Sequence, residues 1–429
     1  MRIAEKQIRS VAVIGYGVTG RAITNYLYGH GISVFVSEGG AINRIDQASL
    51  SSRGIDYEQR GHSKAIQATD AIVLSPGIRL DTPVLQEARI AGIPILSEID
   101  FSFHLLTSQT KTIAVTGTNG KTTTVSLIEA ILKQEGINAK AVGNIGVPLI
   151  SAVTNPPDVL VVELSSFQLQ QSYIFHPDIA CLLNIAPDHL DWHTTLDNYM
   201  AAKYSIFSRQ NKKDVAILTR QLRRQAKNIR AREVYIEDID TPGSKFCEKL
   251  SPHNLHNLQA AIACCKETLP QFRLEAIHLE KLQGIFHLPY RLQQEPPVRG
   301  IRVINDSKST NAASTISALE AIKQRCVMIL GGRHKQGGYE DLAQAILRYD
   351  VRHVVLFGEG AAFIEAIIRD AGYLDTTICL TLKQAVTCAL QEAHESDMLL
   401  FSPGCSSFDQ YANYVDRGEA FSRLMDSHR

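Results

Sequence analysis

The sequence predicts an α/β protein with three domains built on doubly wound, mostly parallel sheets. The chain has 429 residues, and two or three domains are expected at that length. Short apolar runs alternate with longer segments of 3.6-residue periodicity, which is the rhythm of βα units. Most runs are apolar throughout, as in strands covered on both faces. The predicted strands are residues 11–14, 34–36, 71–74, 113–116, 159–164, 179–184, 215–218, 327–330, 353–357 and 398–401.

Two breaks in this pattern predict the domain boundaries. The polar stretch 107–111 precedes a fresh strand, and a polar patch rich in proline and glycine follows Pro289. Such stretches connect compact units. We therefore predict domains at residues 1–107, 108–288 and 289–429.

Composition excludes several classes of function. Lys and Arg number 44 and so do Asp and Glu, so no basic field exists to attract nucleic acid or an anionic membrane. The charged N-terminus predicts no signal peptide, and no apolar stretch is long enough to span a membrane. The eight cysteines form no CxxC pair and are predicted to be mostly buried thiols in a reducing cytosol. A cytoplasmic monomer is expected.

The first strand leads into a glycine loop with a diphosphate-binding pattern. Residues 15–20 read G-x-G-x-x-G and open a helix, as in Rossmann-like domains. Glu38 follows the second strand, where a dinucleotide-binding domain places the acid that contacts the ribose. Ser75 opens an SPG turn at the same sheet edge. NAD fits this pattern, and so does the pyrophosphate of a UDP group.

The strongest signal is the segment TGTNGKTT, which joins the fourth predicted strand to a helix predicted over 122–134. Gly117 and Gly120 allow backbone N–H groups to approach phosphates. Lys121 can reach the β- and γ-phosphates, and the Thr122 hydroxyl can bind Mg²⁺. A chance glycine-rich turn is the alternative.

This loop differs from a strict Walker A motif. Val115 stands where that motif has its first glycine. The shortened loop still predicts a central P-loop ATPase-like domain with a parallel sheet.

Charged residues follow the next strands. Glu163 ends a buried strand and is a natural Mg²⁺ ligand, although it could also cap the following helix. In the loop NIAPDHLDWH, His189 is the preferred ligand, while Asp191 and His193 are expected to be solvated. Lys203 lies on a helix and, from physical chemistry alone, is expected at the surface.

The last third of the chain contains three further loops after strands. The segment NDSKSTN offers Asp306 and Lys308 to a nucleotide or phosphate, or caps the helix predicted over 311–323. LGGRHKQGG presents Lys335, and FSPGCSSFDQY follows the last strand. Ordinary βα turns are the alternative for each. A C-terminal Rossmann-like domain is predicted.

In their order along the chain, these motifs resemble those of the D-glutamate-adding Mur ligases. The resemblance rests on TGTNGKTT, ELSSFQL, APDHLD, the Lys203 helix, HNLHN, NDSKSTN and SPGCSSFDQY, and it covers essentially the whole chain. It implies an ATP-dependent ligase that joins D-glutamate to UDP-N-acetylmuramoyl-L-alanine through an acyl phosphate, in peptidoglycan precursor synthesis. L-Alanine-adding relatives would have histidine where Asn119 stands.

The resemblance also implies the site residues. Those for the UDP substrate are Gly17, Val18, Thr19, Ser37, Glu38, Ser75 and Asn144. Those for ATP are Gly117, Thr118, Asn119, Gly120, Lys121, Thr122, Thr123, Asn254, Asn257, Arg291 and Asp306. Those for D-glutamate are Lys308, Thr310, Lys335, Ser407 and Tyr414. Two Mg²⁺ ions would be held by Thr122, Glu163, His189 and Lys203, the last as N-carboxylysine, and the catalytic set would be Lys121, Glu163, His189 and Lys203.

The chain departs from the family pattern at a few positions. Tyr290 replaces the histidine of a His-Arg pair, two glutamines follow where an acid is usual, Glu38 replaces an aspartate, and Tyr414 replaces phenylalanine. Three alternatives stay open: another Mur-type or folate-type ligase, a nicotinamide dehydrogenase, and a nucleotide-binding protein without catalysis. The dehydrogenase leaves the TGTNGKTT loop unexplained.

Overall fold

The protein has a three-domain α/β fold built on three largely parallel sheets. The computed structural model describes residues 2–3, 6–106, 109–226, 228–286, 289–335 and 337–429. It divides into two compact units. Unit 1 comprises Met1–Asn184, Ala201–Cys247 and His256–His278, and unit 2 comprises Ile185–Met200, Glu248–Leu255 and Leu279–Arg429.

The N-terminal sheet, in unit 1, has the parallel order β5-β4-β3-β6-β7. This is the order of a Rossmann-like domain, whose ligands bind at the carboxyl ends of the strands. Its strands are β3 (Ser10–Ile14), β4 (Ser33–Glu38), β5 (Asp56–Gln59), β6 (Ala71–Leu74) and β7 (Ile95–Ser97), after a short antiparallel pair β1 (Arg2–Ile3) and β2 (Lys6–Gln7). Its helices are α1 (Val18–Gly29), α2 (Arg44–Ser52), α3 (Pro83–Ile90) and α4 (Glu98–Leu105).

The central sheet, also in unit 1, is fully parallel with the order β13-β12-β11-β8-β10-β9. Its strands are β8 (Lys111–Thr116), β9 (Ala139–Gly143), β10 (Val159–Glu163), β11 (Ile179–Leu182), β12 (Val215–Leu218) and β13 (Arg232–Tyr235). The helices along this part of the chain are α5 (Lys121–Gln134), α6 (Ser166–Gln170), α7 (Leu190–His193), α8 (Leu196–Tyr204), α9 (Arg220–Gln225), α10 (Lys245–Glu248), α11 (Pro252–Thr268) and α12 (Gln283–Phe286).

The C-terminal sheet, in unit 2, has the order β14-β15-β19-β16-β17-β18. All its pairs are parallel except the β14–β15 hairpin. Its strands are β14 (Gln293–Val298), β15 (Ile301–Asn305), β16 (Cys326–Gly331), β17 (Val351–Phe357), β18 (Thr376–Cys379) and β19 (Met398–Phe401). Its helices are α13 (Ala312–Ile322), α14 (Tyr339–Arg348), α15 (Ala361–Asp370), α16 (Leu382–Glu392) and α17 (Tyr414–His428).

Two buried carboxylates of α4 join the N-terminal and central sheets within unit 1. Glu98 accepts a hydrogen bond from the Ile150 backbone N–H at 2.9 Å. Asp100 accepts the Ser172 hydroxyl at 2.7 Å and the backbone N–H of Tyr173 at 2.6 Å. Burial raises the pKa of Glu98 to about 7, because a carboxylate loses hydration inside the protein.

Every predicted strand is present, which confirms the predicted fold class. The bounds coincide for β6, β12 and β19. The prediction omits edge strands such as β5, β13 and β18, because their partly exposed residues lack a continuous apolar pattern. Asn311 caps α13, since its side chain accepts the Ser314 backbone N–H. Among the described residues, no helix combines the length and apolar character needed to cross a membrane.

Candidate functional site

The loop between β8 and α5 is shaped by tight packing around Gly120. Gly120 precedes α5 in a left-handed conformation with φ of 88°, which favours glycine. A Cβ at this position would overlap the Asn257 side chain. Lys121 begins α5, and its ammonium donates to the carbonyl oxygens of Gly117 at 2.8 Å and Thr118 at 2.9 Å. A helix N-terminus and a lysine therefore meet at this loop, and both favour an anion.

The Lys203 side chain is buried beneath this loop. Only 1% of the residue is exposed, so the prediction of a surface position is wrong. Its ammonium donates to the Gly117 carbonyl oxygen at 2.8 Å, the oxygen that Lys121 also contacts. The two ammonium groups share one carbonyl oxygen and carry like charges, so they repel each other.

Glu163 ends β10 as a buried carboxylate. It is 1% exposed, and its Oε1 accepts from the Asn144 side-chain amide at 2.7 Å. Its Oε2 is buried without a hydrogen-bond partner among the described residues. A buried, unpaired carboxylate oxygen is costly, so this atom is suited to a cation or a donor brought by a ligand.

Asn184 fixes the loop between β8 and α5 to the chain that follows β11, a role that the sequence did not predict. Its side chain accepts the Asn119 backbone N–H at 2.9 Å and donates to the Asn119 carbonyl oxygen at 3.0 Å. Its own carbonyl oxygen accepts the Thr118 backbone N–H at 3.0 Å. The signal available in the sequence was its position as the last residue of the predicted strand 179–184.

Other predicted ATP residues are divided between the units. Thr122 and Thr123 follow Lys121 on α5, and Thr123 is buried. Asn257 is buried, and its side-chain N–H₂ has no hydrogen-bond partner among the described residues. Asn254, Arg291 and Asp306 belong to unit 2.

In unit 2, the loop before α7 contains an ion pair that the prediction missed. Asp188 lies 3.0 Å from the Lys335 ammonium and accepts the Asn311 side-chain amide at 2.9 Å. Burial raises the pKa of Asp188, but the charges of Lys335 and His189 bring it below its usual value. His189 lies 3.7 Å from Asp188 and has a positive φ of 55°.

The prediction that His193 is solvated is wrong. His193 is buried, and its ring packs edge-on against Tyr199 at 5.3 Å between centroids. Because α7 folds this segment into a helical turn, His193 turns inward while Asp191 stays exposed, as predicted.

The residues predicted for D-glutamate lie around the carboxyl ends of C-terminal strands. The Lys308 ammonium donates to the Tyr414 hydroxyl at 3.3 Å and lies 5.0 Å from its ring centroid. Thr310 and Ser407 follow β15 and β19, and Ser407 is buried. Lys335 follows β16 and pairs with Asp188, as described above.

The Asp306 carboxylate is buried and hydrogen-bonds to groups of its own unit. It accepts the hydroxyls of Ser309 at 2.5 Å and Ser402 at 2.7 Å, and the Leu292 backbone N–H at 3.0 Å. Burial raises its pKa despite these hydrogen bonds. The carboxylate therefore anchors the segment that carries Arg291.

Arg417 was not predicted and is fully buried. It donates to the Ser307 carbonyl oxygen at 2.9 Å and to the Cys405 carbonyl oxygen at 2.9 Å. Burial lowers its pKa to about 10. The guanidinium joins the loops NDSKSTN and SPGCSS, and no signal in the sequence distinguishes it from a surface arginine of α17.

The N-terminal glycine loop is closed by hydrogen bonds from neighbouring strand ends. Ser75 donates to the Gly15 carbonyl oxygen at 2.8 Å, and Glu38 accepts the Tyr16 backbone N–H at 2.6 Å. Ser37 is buried at the end of β4. Gly17 caps α1, which begins with Val18 and Thr19. The residues predicted to bind the UDP substrate therefore lie at the carboxyl edge of the N-terminal sheet. Asn144 is the exception, because it lies in the central domain and donates to Glu163.

Comparison with protein-family models matches all three domains. Residues 9–97 match the "Mur ligase MurD-like, N-terminal domain", residues 115–245 the "Mur ligase middle domain" and residues 290–405 the "Mur ligase, glutamate ligase domain". Together these matches cover most of the chain.

Curated relatives match over the full length. The UDP-N-acetylmuramoylalanine–D-glutamate ligase of Alkaliphilus oremlandii is 33% identical over 100% of both chains. The ligase of that name from Elusimicrobium minutum is 35% identical over 98% of both chains.

Among solved structures, two proteins from Thermotoga maritima have a similar fold. The UDP-N-acetylmuramate–alanine ligase has a TM-score of 0.58 at 19% identity and covers 98% of this chain and 100% of its own. The MurF ligase in complex with ADP has a TM-score of 0.59 at 14% identity and covers 92% of this chain and 96% of its own.

Proposed function

Because this chain belongs to the Mur ligase family, we propose that it is an ATP-dependent ligase that joins D-glutamate to UDP-N-acetylmuramoyl-L-alanine. The reaction belongs to cytoplasmic synthesis of peptidoglycan precursors. The names of the full-length relatives support the substrates. The observation that carries the proposal is that Lys121 and Lys203 both contact the Gly117 carbonyl oxygen, while the buried Glu163 ends the strand that pairs with β8.

The chemistry follows from the poor reactivity of a carboxylate. The L-alanyl carboxylate oxygen attacks the γ-phosphorus of ATP, the bond to the β-phosphate oxygen breaks, and ADP leaves. The D-glutamate amine then attacks the acyl carbon, phosphate departs, and the amine loses a proton. Lys121 and the N-terminus of α5 stabilise the negative charge on the phosphates during transfer.

Magnesium fits this site. The unpaired Glu163 Oε2 and the Thr122 hydroxyl are oxygen ligands of the kind that Mg²⁺ prefers. When bound, the metal supplies positive charge to the phosphate oxygens. His189 and Lys203 are proposed to hold a second ion.

We propose that Lys203 is carbamylated. Reaction of its neutral amine with CO₂ forms an N–C bond, releases a proton and yields an anion. That change removes the repulsion between Lys203 and Lys121 at the Gly117 carbonyl oxygen. It also provides two oxygens for a metal.

The remaining ATP ligands are proposed in two parts. Gly117, Thr118, Asn119, Gly120 and Thr123 surround the phosphates. Asn254, Asn257 and Arg291 contact the nucleotide, and Asp306 holds the segment of Arg291 in place.

D-Glutamate is proposed to bind in the C-terminal domain. Its carboxylates interact with Lys308, Lys335 and Ser407, while Thr310 and Tyr414 complete the pocket. The UDP end binds the N-terminal glycine loop. The domains are proposed to span residues 1–107, 108–288 and 289–429.

Phosphate release tests the function directly. The protein is incubated with ATP, Mg²⁺ and UDP-N-acetylmuramoyl-L-alanine, with D-glutamate, with L-glutamate or with neither. Release that requires both the UDP substrate and D-glutamate is expected. Equal release with L-glutamate, or none with any pair of substrates, would overturn the proposal.

A further inference from the structure

The loops that follow β4 and β5 lie where this fold places the base of a nucleotide. A diphosphate is expected at the N-terminus of α1, the ribose near the end of β4, and the base beyond it. The two loops are joined by the Arg60 backbone N–H, which donates to the Gly40 carbonyl oxygen at 2.7 Å. His62 lies in the loop after β5, two residues beyond Arg60. If Gly39, in the loop after β4, had a Cβ, that atom would lie 3.3 Å from the His62 Nε2.

Glu38, the residue predicted to contact the ribose, is already engaged by the backbone. One carboxylate oxygen accepts the Tyr16 N–H at 2.6 Å, and the other accepts the Gly40 N–H at 2.7 Å. The carboxylate therefore ties the glycine loop to the loop after β4. A second side chain with a free acceptor at this edge would add to recognition of the base.

Hydrogen bonds fix the tautomer of the His62 ring. The Ser37 hydroxyl donates to the Glu58 carboxylate at 2.6 Å, and the same oxygen lies 2.7 Å from His62 Nδ1. Burial raises the pKa of Glu58, but hydrogen bonds from Ser37 and Ser63 bring it below its usual value, so Glu58 is an acceptor. A hydroxyl has only one proton. Ser37 therefore accepts from Nδ1–H, and a ring with this single proton has a bare Nε2.

We propose that His62 Nε2 accepts the N3–H of uracil in the UDP substrate and thereby selects uracil over cytosine. Cytosine presents an acceptor at N3, so two acceptors would face each other. No described residue hydrogen-bonds to Nε2, which leaves it available to a ligand. Ser37 and Glu58 position the ring. This inference rests on the proposed function, because it presumes a uridine nucleotide.

Calorimetric titration with UDP and with CDP tests the proposal on the full-length chain. The unaltered protein is expected to bind UDP about tenfold more tightly than CDP, the effect of one well-placed hydrogen bond and its mismatch. His62→Ala is expected to remove this preference and to leave the KM for ATP unchanged. The exposed His278→Ala is the matched control and is expected to retain the preference.

The variant Ser37→Ala separates recognition from simple support of the fold. Without the Ser37 oxygen, Nδ1–H loses its acceptor, so the ring proton is no longer fixed on Nδ1 and Nε2 is no longer kept bare. The preference for UDP should then fall, whereas a structural role alone predicts an equal loss for both nucleotides. If His62→Ala fails to fold, Gly39→Ala brings a methyl group against Nε2 and is expected to weaken UDP binding while Ser37 and Glu58 stay in place.

Failure of this inference is distinguishable from failure of the proposed function. If the unaltered protein prefers UDP and His62→Ala retains that preference, His62 does not read the base and the ligase function stands. If the unaltered protein binds neither nucleotide and has no ligase activity, the proposed function and this inference fall together.

Discussion

The two glycine loops of unit 1 have the same local architecture and different surroundings. Each follows a buried parallel strand and opens a helix, α1 or α5. At the central loop, the ammonium groups of Lys121 and Lys203 come from two different helices, and Glu163 ends the neighbouring strand β10. At the N-terminal loop, the charged group that hydrogen-bonds to the loop backbone is the Glu38 carboxylate. Arg21, on helix α1, does not add a free positive charge there, because it is paired with Asp46 at 2.7 Å.

This difference corresponds to two tasks that an anion site can perform. Backbone N–H groups and a helix N-terminus are enough to hold a diphosphate. Transfer of a phosphoryl group also requires charges that stabilise the transition state. We therefore expect substitutions in the central loop to lower kcat and those in the N-terminal loop to raise KM for the UDP substrate.

Loss of Lys121 should have the largest effect. Lys121→Ala removes the cation that contacts two loop carbonyl groups, and we expect kcat to fall about 10³-fold with the fold intact. The control is Lys133→Ala on the same helix, where Lys133 pairs with Glu129 at the surface and activity should be unchanged. Near-normal turnover of a folded Lys121→Ala protein would contradict the proposed role.

Lys203→Ala should lower kcat about 10²-fold, because the proposed carbamate would be missing. Short carboxylic acids such as acetate should partly restore activity by occupying the vacated space, and bicarbonate should restore no more than they do. The exposed Lys213→Ala serves as the control. Absence of rescue by any carboxylate, in a protein with an unchanged circular dichroism spectrum, would speak against the carbamate.

The contrast between these two lysines also indicates what the sequence can predict. Lys121 was identified because its chemistry is local, since the strand, the glycines and the helix are adjacent in the chain. Lys203 was expected at the surface because the alanines and aromatics around it do not reveal that α8 packs beneath a distant loop. The resemblance to a family supplied that role.

Other features depended on partners that are remote in sequence. Asp188 is held by Lys335 and Asn311, and no spacing rule connects these positions. The same holds for Arg417, which is buried between two loops. Buried strands were predicted because their apolar runs are continuous, whereas edge strands have no such pattern.

Gly20→Ala tests the N-terminal loop and should have a smaller effect. A Cβ at Gly20 would overlap the Gly15 carbonyl oxygen, so the loop must open and lose its diphosphate geometry. We expect KM for the UDP substrate to rise about tenfold, a loss of binding of about 1.4 kcal/mol, with kcat little changed. Gly29→Ala on the same helix has open space around its Cβ and should leave KM unaltered. If Gly20→Ala instead lowered kcat at constant KM, the N-terminal loop would not be limited to binding, and the proposed difference between the two loops would be wrong.

The last expected effect concerns stability rather than activity, at the buried carboxylates of α4 that connect the N-terminal and central sheets of unit 1. Burial raises the folded-state pKa of Glu98 to about 7 from an ordinary value of 4.5. The folded state therefore binds this proton more tightly than the unfolded state does. The stabilisation from protonation is complete below pH 4.5 and is lost as the pH rises through about 7. Glu98→Gln removes this titration and should flatten the pH dependence.

The measurement is the free energy of unfolding of both proteins in urea at pH 5 and pH 8. The difference between variant and unaltered protein should shift in favour of the variant by on the order of 2 kcal/mol over that range. The exposed Glu135→Gln, at the end of α5, should show no such shift. A constant difference between pH 5 and pH 8 would mean that Glu98 stays charged in the fold, and that the Ile150 N–H and its neighbours compensate the burial of the carboxylate.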